Sequence, residues 1–252
     1  MAGYKAFLSE TSKFQEDRLI LDPQESHHLC RVLRASVDSV VEVLDGKGKV
    51  YQAKLIEANP RNAELLVNGI ESYLLPKTEL VLLMSIPKPK AMDQILKRAV
   101  EIGIQKIIPV FSEHSAFVLS PEQMEAKLNK WQVVLIESCK QSSCPFLPTL
   151  NMIGSLEQFF LEYASDWKHE SLGVVASLEN DAELLWNDLS NRYEGQKKVI
   201  YAVGPEGDFS KNEYKAFNDI GFTGSRLGAH VLRSETAVTY GLSVIDQFLK
   251  SR

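Results

Sequence analysis

From residue 79 onward the chain alternates uninterrupted apolar runs with amphipathic segments, and this pattern constrains the fold more than any other feature. Four apolar runs stand out, ELVLLMS (79–85), KIIPVF (106–111), SLGVVASL (171–178) and KKVIYAVG (197–204). Apolar residues recur at helical spacing between them, in 92–103, in 120–141 and around 181–190. Strands that are apolar along their whole length are typical of a parallel sheet with both faces covered. The pattern therefore predicts an α/β fold whose ligands bind at the carboxyl ends of the strands.

Residues 1–72 have a different texture, made of short β-prone segments. SVVEVLD (39–45) and KVYQAKLIEA (49–58) are joined by DGKGK, a hairpin signal because Asp-Gly tolerates the positive φ of tight turns. AELLVNGIES (63–72) follows a second turn, and YLLPKT (73–78) is typical of a linker. Evenly spaced short strands indicate a small barrel. We therefore expect a β-barrel domain over residues 1–74 and an α/β domain over residues 75–252.

The composition excludes several classes of protein. No run of the 252 residues is long and apolar enough to span a membrane, and the first residues lack the basic-then-apolar pattern of a secretory signal. Three cysteines without a CxxC pair are typical of a reducing compartment, so we expect a cytoplasmic protein. A net charge of -5 argues against indiscriminate coating of nucleic acid, but it permits a local basic patch.

Two strand-to-helix connections carry glycine together with charged residues. In YAVGPEGDFSKNE (201–213), Gly204 and Gly207 let backbone approach a ligand and adopt conformations barred to other residues. In RLGAHVLRSETA (226–237), a strand breaks at Gly228 before a helix begins. These are either two ordinary connections or one ligand pocket built from both loops. Neither a dinucleotide fingerprint nor a P-loop occurs in the sequence, so a pocket of another kind is expected.

The helices after these loops have recognisable starts. Ser210 and Glu213 form an S-x-x-E capping box, which predicts a helix beginning there. The helix after residue 234 presents one apolar face, suited either to the core of the domain or to a partner subunit. Its members are Val238, Leu242, Ile245 and Leu249.

GPEGDFS (204–210) followed by LGAHVLRSETA (227–237) resembles the carboxyl-terminal motifs of the RsmE-type ribosomal RNA methyltransferases, which belong to the SPOUT class. HHLCRVLR (27–34) is similar to the amino-terminal RNA-binding segment of that family. KRAVEIGIQKIIPVFSEHS (97–115) and KQSSCPFLP (140–148) are similar to its central motifs. The order and spacing of these motifs make the resemblance specific, and it extends over essentially the whole chain.

The resemblance implies a PUA-like barrel that precedes an α/β domain with a deep trefoil knot, a homodimer, and S-adenosyl-L-methionine as the cofactor. It implies methylation of one uridine at N3 in 16S ribosomal RNA of the small subunit. From the residues themselves we expect neither a metal nor a membrane as a partner. The alternatives are a non-catalytic RNA-binding or ribosome-assembly factor on the same fold, and a SPOUT enzyme with another RNA target. Glycines in both loops favour the enzyme, because a pure RNA-binding protein need not keep them.

Carried over residue by residue, the resemblance implies three groups of site residues. The cofactor contacts are Leu178, Val203, Gly204, Pro205, Gly207, Leu227, Gly228, Val231, Leu232, Thr236 and Ala237. The RNA contacts are His27, Arg31, Arg34, Lys88, Lys90, Arg98, Gln141 and Ser142. The leading catalytic candidate is Arg233, which would stabilise the anion left when N3 loses its proton. Glu206 and Glu235 would accept that proton or orient Arg233, with solvent as the alternative base.

Four positions depart from the pattern of the family. The family commonly has a second glycine where Asp208 stands, and threonine where Ser234 keeps the hydroxyl. An arginine is usual at the positions of His114 and Cys144. The loss of two fixed positive charges affects local phosphate contacts rather than the cofactor pocket.

The basic residues also have a second interpretation. Arg31 and Arg34 either contact RNA phosphates or lie on a solvated surface of the barrel. The basic run that starts at Lys88 and Lys90 either binds the substrate or forms a solvated helix face. Residues 27–30 contain two histidines and a cysteine, but no fourth ligand stands at a standard spacing, which argues against a metal site.

Overall fold

The computed structural model describes residues 3–115, 119–151, 154–166, 169–179 and 182–252. The chain divides into two compact units. The first comprises Met1–Leu75 and Ile136–Leu147, and the second comprises Pro76–Leu135 and Pro148–Arg252. The first break lies beside the boundary that the sequence predicts, whereas Ile136–Leu147 comes from the predicted second domain and belongs to the first unit.

The first unit is built on a curled sheet of short strands. These are β1 (Tyr4–Phe7), β2 (Lys13–Gln15), β3 (Arg18–Ile20), β4 (Val40–Leu44), β5 (Lys49–Glu57) and β6 (Glu64–Ser72), in the order β1-β4-β5-β6-β3-β2. Neighbouring strands are antiparallel except for the parallel pair β1–β4. The helix α1 (Pro23–His27) and a π-helical turn (His28–Val32) connect β3 to β4. The sheet buries an apolar core that includes Leu19, Val43 and Leu55, in agreement with the predicted barrel-like fold.

The predicted hairpin between β4 and β5 is confirmed. The two strands pair antiparallel, and Gly46 and Gly48 in the connection both have positive φ. Asp45 Oδ1 accepts hydrogen bonds from the backbone amides of Lys47 and Lys49, at 2.7 and 2.9 Å. The Asp-Gly signal in the sequence therefore gives both the turn and its side-chain brace.

The second unit contains a parallel sheet of seven strands in the described part of the chain, in the order β11-β13-β10-β12-β7-β8-β9. The strands are β7 (Glu79–Ser85), β8 (Lys106–Val110), β9 (Thr149–Leu150), β10 (Ser171–Ala176), β11 (Glu183–Leu184), β12 (Lys198–Val203) and β13 (Thr223–Arg226). Every neighbouring pair is parallel. The α/β fold predicted from the apolar runs is confirmed, and the trefoil knot stays a prediction.

Helices connect these strands. They are α2 (Pro89–Ile102), α3 (Pro121–Ser142), α4 (Leu156–Asp166), α5 (Leu185–Arg192), α6 (Lys211–Asp219) and α7 (Ser234–Lys250). α2 ends, as predicted, at Gly103, whose φ is +96°. The helix expected around 181–190 begins later, at Leu185, because Glu183 and Leu184 form a strand that pairs with β13. Asp181, at the start of the predicted helix, lies outside the described residues. No helix within the described ranges is both long and apolar enough to cross a membrane.

The sheet of the second unit is covered on both faces. Val81 and Ile200 belong to a buried core that Phe159 of α4 and Phe217 of α6 complete. The next residue along β12, Tyr201, points to the opposite face and contacts α7, which also packs against α2 and α5. Continuous apolar strands are therefore required, as the pattern predicted, because successive side chains enter two different cores.

The apolar face of α7 lies inside this unit. Val238, Leu242 and Ile245 are all fully buried among α2, α5 and β12, and the fourth member, Leu249, is half-buried. Of the two roles that the sequence left open for this face, the structure therefore shows the core of the domain.

A buried ion pair fixes the last turns of α3 in the first unit. The side chains of Lys140 and Glu25 are only 4% and 10% exposed, and Lys140 Nζ lies 2.8 Å from Glu25 Oε1. Lys140 also binds Glu137 at 2.7 Å, and Glu25 Oε2 accepts the backbone amide of Phe7 at 3.0 Å. A buried charge without a partner is strongly destabilising, so these contacts tie α3 to α1 and β1.

The contact between β12 and α7 is made at a glycine. A Cβ atom on Gly241 would lie 2.2 Å from the ring of Tyr201, which is too close for any side chain. The Tyr201 hydroxyl, fully buried, donates a hydrogen bond of 3.0 Å to the backbone carbonyl of Ala237, one turn earlier in the helix. Glycine at 241 is therefore set by packing, and the hydroxyl fixes the position of α7 along the strand.

Replacement of Gly241 by alanine should lower the free energy of unfolding. Overpacking a core costs about 1–3 kcal/mol, and at a contact this close the upper end of that range applies. Alanine regains up to about 1 kcal/mol of helix propensity, which leaves a net loss of about 2 kcal/mol. Urea denaturation followed by circular dichroism measures the difference. Gln247→Ala, on the exposed side of the same helix, is the control and should stay within about 0.5 kcal/mol. A Gly241→Ala protein as stable as the wild type would contradict this account of the contact.

Candidate functional site

The carboxyl ends of three neighbouring strands of the second unit frame a cavity. β13, β10 and β12 are adjacent in the sheet, and the loops that follow them enclose a volume of about 380 Å³. The lining residues are Ala176, Ser177, Leu178, Val203, Gly204, Pro205, Glu206, Asp208, Arg226, Leu227, Gly228, Ala229, His230, Val231, Leu232, Arg233, Ser234 and Ala237. This is the edge at which parallel α/β sheets bind ligands, and both glycine-bearing loops of the sequence meet there. Of the two interpretations left open, one shared pocket is therefore the one that the structure shows.

The loop after β12 turns sharply at Asp208. The amide of Asp208 donates to the carbonyl of Pro205 at 3.0 Å, and Asp208 has a φ of +63°, in the left-handed region. Gly204 and Gly207 do not lie in that region, so the expectation that they supply unusual backbone conformations is wrong. Asp208 stands where the resemblance expects a second glycine, and the left-handed φ gives the physical reason for that preference.

Gly204 is required by close packing instead. A Cβ atom there would lie 3.1 Å from the backbone nitrogen of Phe209 and 3.3 Å from Asp208 Oδ1. Its carbonyl lies 3.4 Å from the hydroxyl of Ser234, a weak hydrogen bond that connects the two loops. Gly228 is different, because a Cβ atom there would meet no protein atom within 4 Å. The space beside Gly228 is open to a ligand.

The helix after the first loop begins as predicted. The Ser210 side chain accepts the amide of Glu213 at 3.3 Å, and the Glu213 carboxylate accepts the amide of Ser210 at 2.8 Å. The second carboxylate oxygen of Glu213 accepts the amide of Glu113 at 2.8 Å. The capping box is therefore confirmed, and it also anchors residues 112–115 to the start of α6.

His114 lies against the first loop. Its Nδ1 is 3.0 Å from the carbonyl oxygen of Asp208 and 3.2 Å from that of Gly207. These hydrogen bonds, the one with Asp208 above all, raise the pKa of the exposed His114 ring. Where the resemblance expects an arginine, this chain thus has a side chain bonded to the backbone of the cavity loop.

A second cavity of about 520 Å³ adjoins the first and is more highly charged. It is lined by Lys88, Lys90, Ala91, Gln94, Glu206, Arg233 and Glu235, and it shares Glu206 and Arg233 with the first cavity. Lys88 and Arg233 are the N-cap residues of α2 and α7. The five charged side chains form no salt bridge with any other described residue. They are therefore available to a polar ligand.

The predicted site residues fall into distinct places. Nine of the eleven cofactor candidates line the first cavity, whereas Gly207 and Thr236 do not. Glu206 and Arg233 line both cavities, and Glu235 lines the second. Lys88 and Lys90 also line the second cavity, which brings them to the catalytic candidates. Arg98 lies outside both and pairs with Glu101 at 3.9 Å.

The remaining RNA-binding candidates lie in the first unit. Asp22 caps α1, and the π-helical turn that follows buries Leu29 while Arg31 and Arg34 stay exposed. The other candidates of this unit, His27, Gln141 and Ser142, are exposed as well. No group of three or more His, Cys, Asp or Glu side chains that would hold a metal ion occurs within the described ranges.

Several lining residues were missed by sequence reasoning. Ala229 and His230 lie between two predicted contacts, so extending the second loop as a continuous segment would have found them. Ala176 and Ser177 precede Leu178 at the end of β10. Arg226 ends β13, and its buried Nε has no hydrogen-bond partner within the described part of the chain. A buried donor of this kind is suited to an acceptor on a ligand.

Two family models match the chain. Residues 75–246 match the RNA methyltransferase domain, and residues 21–68 match the PUA domain of RNA methyltransferases. Ribosomal RNA small subunit methyltransferase E of Aquifex aeolicus is 31% identical, over 91% of this chain and 94% of its own. The protein of the same description from Synechocystis is 29% identical, over 94% of this chain and 75% of its own.

A solved structure agrees over the whole length. The crystal structure of ribosomal RNA small subunit methyltransferase E from Neisseria gonorrhoeae, bound to S-adenosyl methionine, superposes with a TM-score of 0.83. It is 25% identical in sequence, and the alignment covers 97% of each chain.

Proposed function

Since the chain belongs to the RNA methyltransferase family, as a relative of ribosomal RNA small subunit methyltransferase E, we propose that it methylates N3 of one uridine in 16S ribosomal RNA. The relatives and the cofactor-bound structure support a ribosomal RNA methyltransferase that depends on S-adenosylmethionine. The proposal goes further in three respects. It names N3 as the methylated position, the cytoplasm as the compartment of the protein, and roles for single residues. The observation that carries it is the pair of adjoining cavities, one lined mainly by backbone and apolar groups and the other by charges.

The first cavity suits the cofactor. Its volume of about 380 Å³ lies in the range of small-molecule sites. The open space beside Gly228 admits a ring, and the backbone groups of both loops can bind the edge of an adenine or a ribose hydroxyl. The partnerless Nε of Arg226 offers a further donor. We therefore assign the cofactor to this cavity, held by the loops after β10, β12 and β13.

The second cavity suits the target nucleotide. N3 of uracil carries a proton and lies on the pairing edge, so the base must be unpaired or taken out of its stack to be reached. When bound, S-adenosylmethionine supplies a methyl group on a sulfonium, a reactive electrophile. Arg233 stands on the boundary between the two cavities, where its positive charge stabilises the imide anion through O2 and O4. Glu206 or Glu235 accepts the proton or orients Arg233.

Lys88 and Lys90 provide the contacts to the phosphates of the substrate. Both are exposed and line the cavity that holds the catalytic candidates, which favours a substrate contact over a merely solvated helix face. Arg31, Arg34, His27, Gln141 and Ser142 extend the RNA contacts to the first unit.

The cofactor assignment is tested at Gly228. Because a side chain there meets no protein atom, Gly228→Val should fold normally and yet fill the space of the ligand. We expect wild-type protein to bind S-adenosylhomocysteine in calorimetry and the variant to lose that binding. Gly69→Val, on β6 of the first unit, is the control, because a Cβ atom there would meet only Gln52, at 4.0 Å, and no positive φ is required. A folded Gly228→Val protein with normal affinity would remove this loop from the cofactor site.

The target itself is tested by nucleoside mass analysis of 16S ribosomal RNA with and without the gene.

Arg233→Ala should affect the chemical step. Loss of one donor that stabilises a developing anion lowers a rate by about 10²–10³-fold. We expect a loss of that size in single-turnover methylation at saturating cofactor and RNA, with cofactor affinity changed only a few-fold. Arg233→Lys, which keeps the charge, should retain more of the rate, and the rate should rise with pH as N3 deprotonates. Normal single-turnover methylation by Arg233→Ala would show that the catalytic assignment is wrong.

Lys88→Ala and Lys90→Ala should weaken RNA binding by an electrostatic mechanism. Each lost phosphate contact should reduce the slope of log affinity against log salt by about 0.7–0.9 and leave cofactor affinity alone. Filter binding across a salt series measures the slope. Lys97→Ala removes an exposed lysine of the same helix that lies outside both cavities, so it is the matched control. An unchanged slope in the double variant would mean that these lysines are only solvated.

We also propose a homodimer, as the resemblance implies. The apolar face of α7 is already used inside the domain, so the support comes from apolar side chains that remain exposed, Val231 at the first cavity and Tyr240 on α7. Light scattering at micromolar protein should give twice the mass of the 28.3 kDa chain. A single-chain mass over the working range of concentration would contradict the dimer.

A further inference from the structure

We infer that Asp208 is a positioning residue: its carboxylate, bonded to Phe209 and Tyr214, holds the cofactor loop in its binding shape before the cofactor arrives. The inference deepens the proposed function and rests on the assignment of the cofactor to the first cavity. It is carried by three contacts of one carboxylate oxygen.

The first two contacts are hydrogen bonds to Asp208 Oδ1. The backbone amide of Phe209 donates to it at 2.8 Å, and the hydroxyl of Tyr214 lies 2.8 Å away. The same hydroxyl lies 3.2 Å from the carbonyl oxygen of Ala176, at the end of β10. Asp208 and Ala176 both line the first cavity. One tyrosine on α6 therefore joins two of the three loops that form the cavity wall.

The third contact is with the glycine of the loop. Asp208 Oδ1 lies 3.3 Å from the place where a Cβ atom on Gly204 would stand. The carboxylate thus occupies space that a side chain at position 204 would need, and the Gly204 carbonyl accepts a weak hydrogen bond from Ser234. If the carboxylate moved, the turn would lose its hydrogen bond at Phe209 and its close packing beside Gly204, which are its two ends.

Aspartate fits this place better than most residues. Its short polar side chain tolerates the left-handed region, which is strained for alanine and other residues with a plain Cβ. A glycine would adopt the φ of +63° without strain, but it offers no acceptor to Phe209 or Tyr214. A turn that is fixed in advance improves affinity, because less conformational entropy is lost on binding.

Tyr214 is suited to remain the donor. Burial, together with the nearby Asp208, raises its pKa, so the hydroxyl keeps its proton throughout the neutral range. Tyr214 does not line either cavity. Its removal therefore affects a ligand through the lining residues that it bonds, Asp208, Ala176 and Ser177, and not by direct contact.

Two measurements on one set of variants test the inference. The set is Asp208→Gly, Asp208→Asn, Tyr214→Phe and the double variant Asp208→Gly/Tyr214→Phe. Tyr73→Phe is the matched control, because it removes a hydroxyl-to-carboxylate hydrogen bond of 2.8 Å, to Glu71, on the exposed surface of the first unit. Calorimetry gives the Kd for S-adenosylhomocysteine, and hydrogen exchange of the Phe209 amide is followed in the cofactor-free protein. Steady-state kinetics separate the KM for the cofactor from kcat.

We expect Asp208→Gly to weaken S-adenosylhomocysteine about tenfold, the size of one or two lost hydrogen bonds, and to speed exchange of the Phe209 amide. Tyr214→Phe should give a loss of similar kind, and the double variant should lose less than the product of the two single effects, because both act through one oxygen. Asp208→Asn, which keeps an acceptor oxygen and tolerates the same φ, should restore most of the affinity. The KM for the cofactor should change more than kcat.

Two outcomes would overturn the inference. Wild-type affinity and wild-type amide exchange in Asp208→Gly and Tyr214→Phe would show that the turn needs no brace. A loss confined to Asp208→Gly, with Tyr214→Phe and the amide unchanged, would mean that Asp208 contacts the ligand directly. Failure of the wild-type protein to bind S-adenosylhomocysteine would instead contradict the proposed function, and the amide exchange would still decide whether Asp208 braces the loop.

Discussion

The packing of Tyr201 on Gly241 sets the distance between the end of β12 and the start of α7, and the whole site depends on that distance. Tyr201 is two residues before the end of β12, and its hydroxyl binds the carbonyl of Ala237 in the first turn of α7. Val203 and Ala237 then both line the first cavity. The Tyr201 ring packs directly on Gly241 and leaves no room for a side chain. A larger distance between the strand end and the helix start would therefore leave a void in the core. Sheet register aligns the other two strand ends, so a backbone-lined cavity follows from the packing of the core.

The two cavities are lined by different kinds of groups, mainly backbone and apolar groups in the first and charged side chains in the second. Gly204, Pro205 and Ser234, which line the first cavity, are buried and carry no charge. Glu206 and Arg233, which border both cavities, are exposed. A nucleoside can be bound by fixed amides and carbonyls, whereas a phosphate chain is attracted by mobile cations. The two residues that both cavities share stand where the two kinds of surface meet.

Local signals in the sequence predicted local structure well. The Asp45-Gly46 hairpin, the Ser210 capping box and the end of α2 at Gly103 each depend on a few adjacent residues, and all three are confirmed. The parallel sheet was predictable because its strands are buried on both faces. The left-handed turn at Asp208 was not, since its brace comes from Tyr214 on the next helix.

Features that depend on distant parts of the chain were less accessible. The end of α3 joins the first unit through Lys140 and Glu25, 115 residues apart, a pairing that no periodicity indicates. The meeting of Lys88 with Arg233 likewise depends on the packing of α2 against α7. The sequence showed each group of basic residues separately, and only the fold places two of them around one cavity.

The helix starts around the second cavity show how stability is given up locally for charge. α6 begins with a complete capping box, the arrangement that best satisfies free backbone amides. α2 and α7 begin instead at Lys88 and Arg233, neither of which caps its helix with a side chain. A side-chain cap stabilises a helix by about 0.5–2 kcal/mol. Both α2 and α7 lack this stabilisation at the starts that line the second cavity. Uncapped amides and cationic side chains both favour negative charge, through the helix dipole and directly. The choice of residues that is poor for the helices is therefore the one suited to binding a negatively charged ligand beside the first cavity.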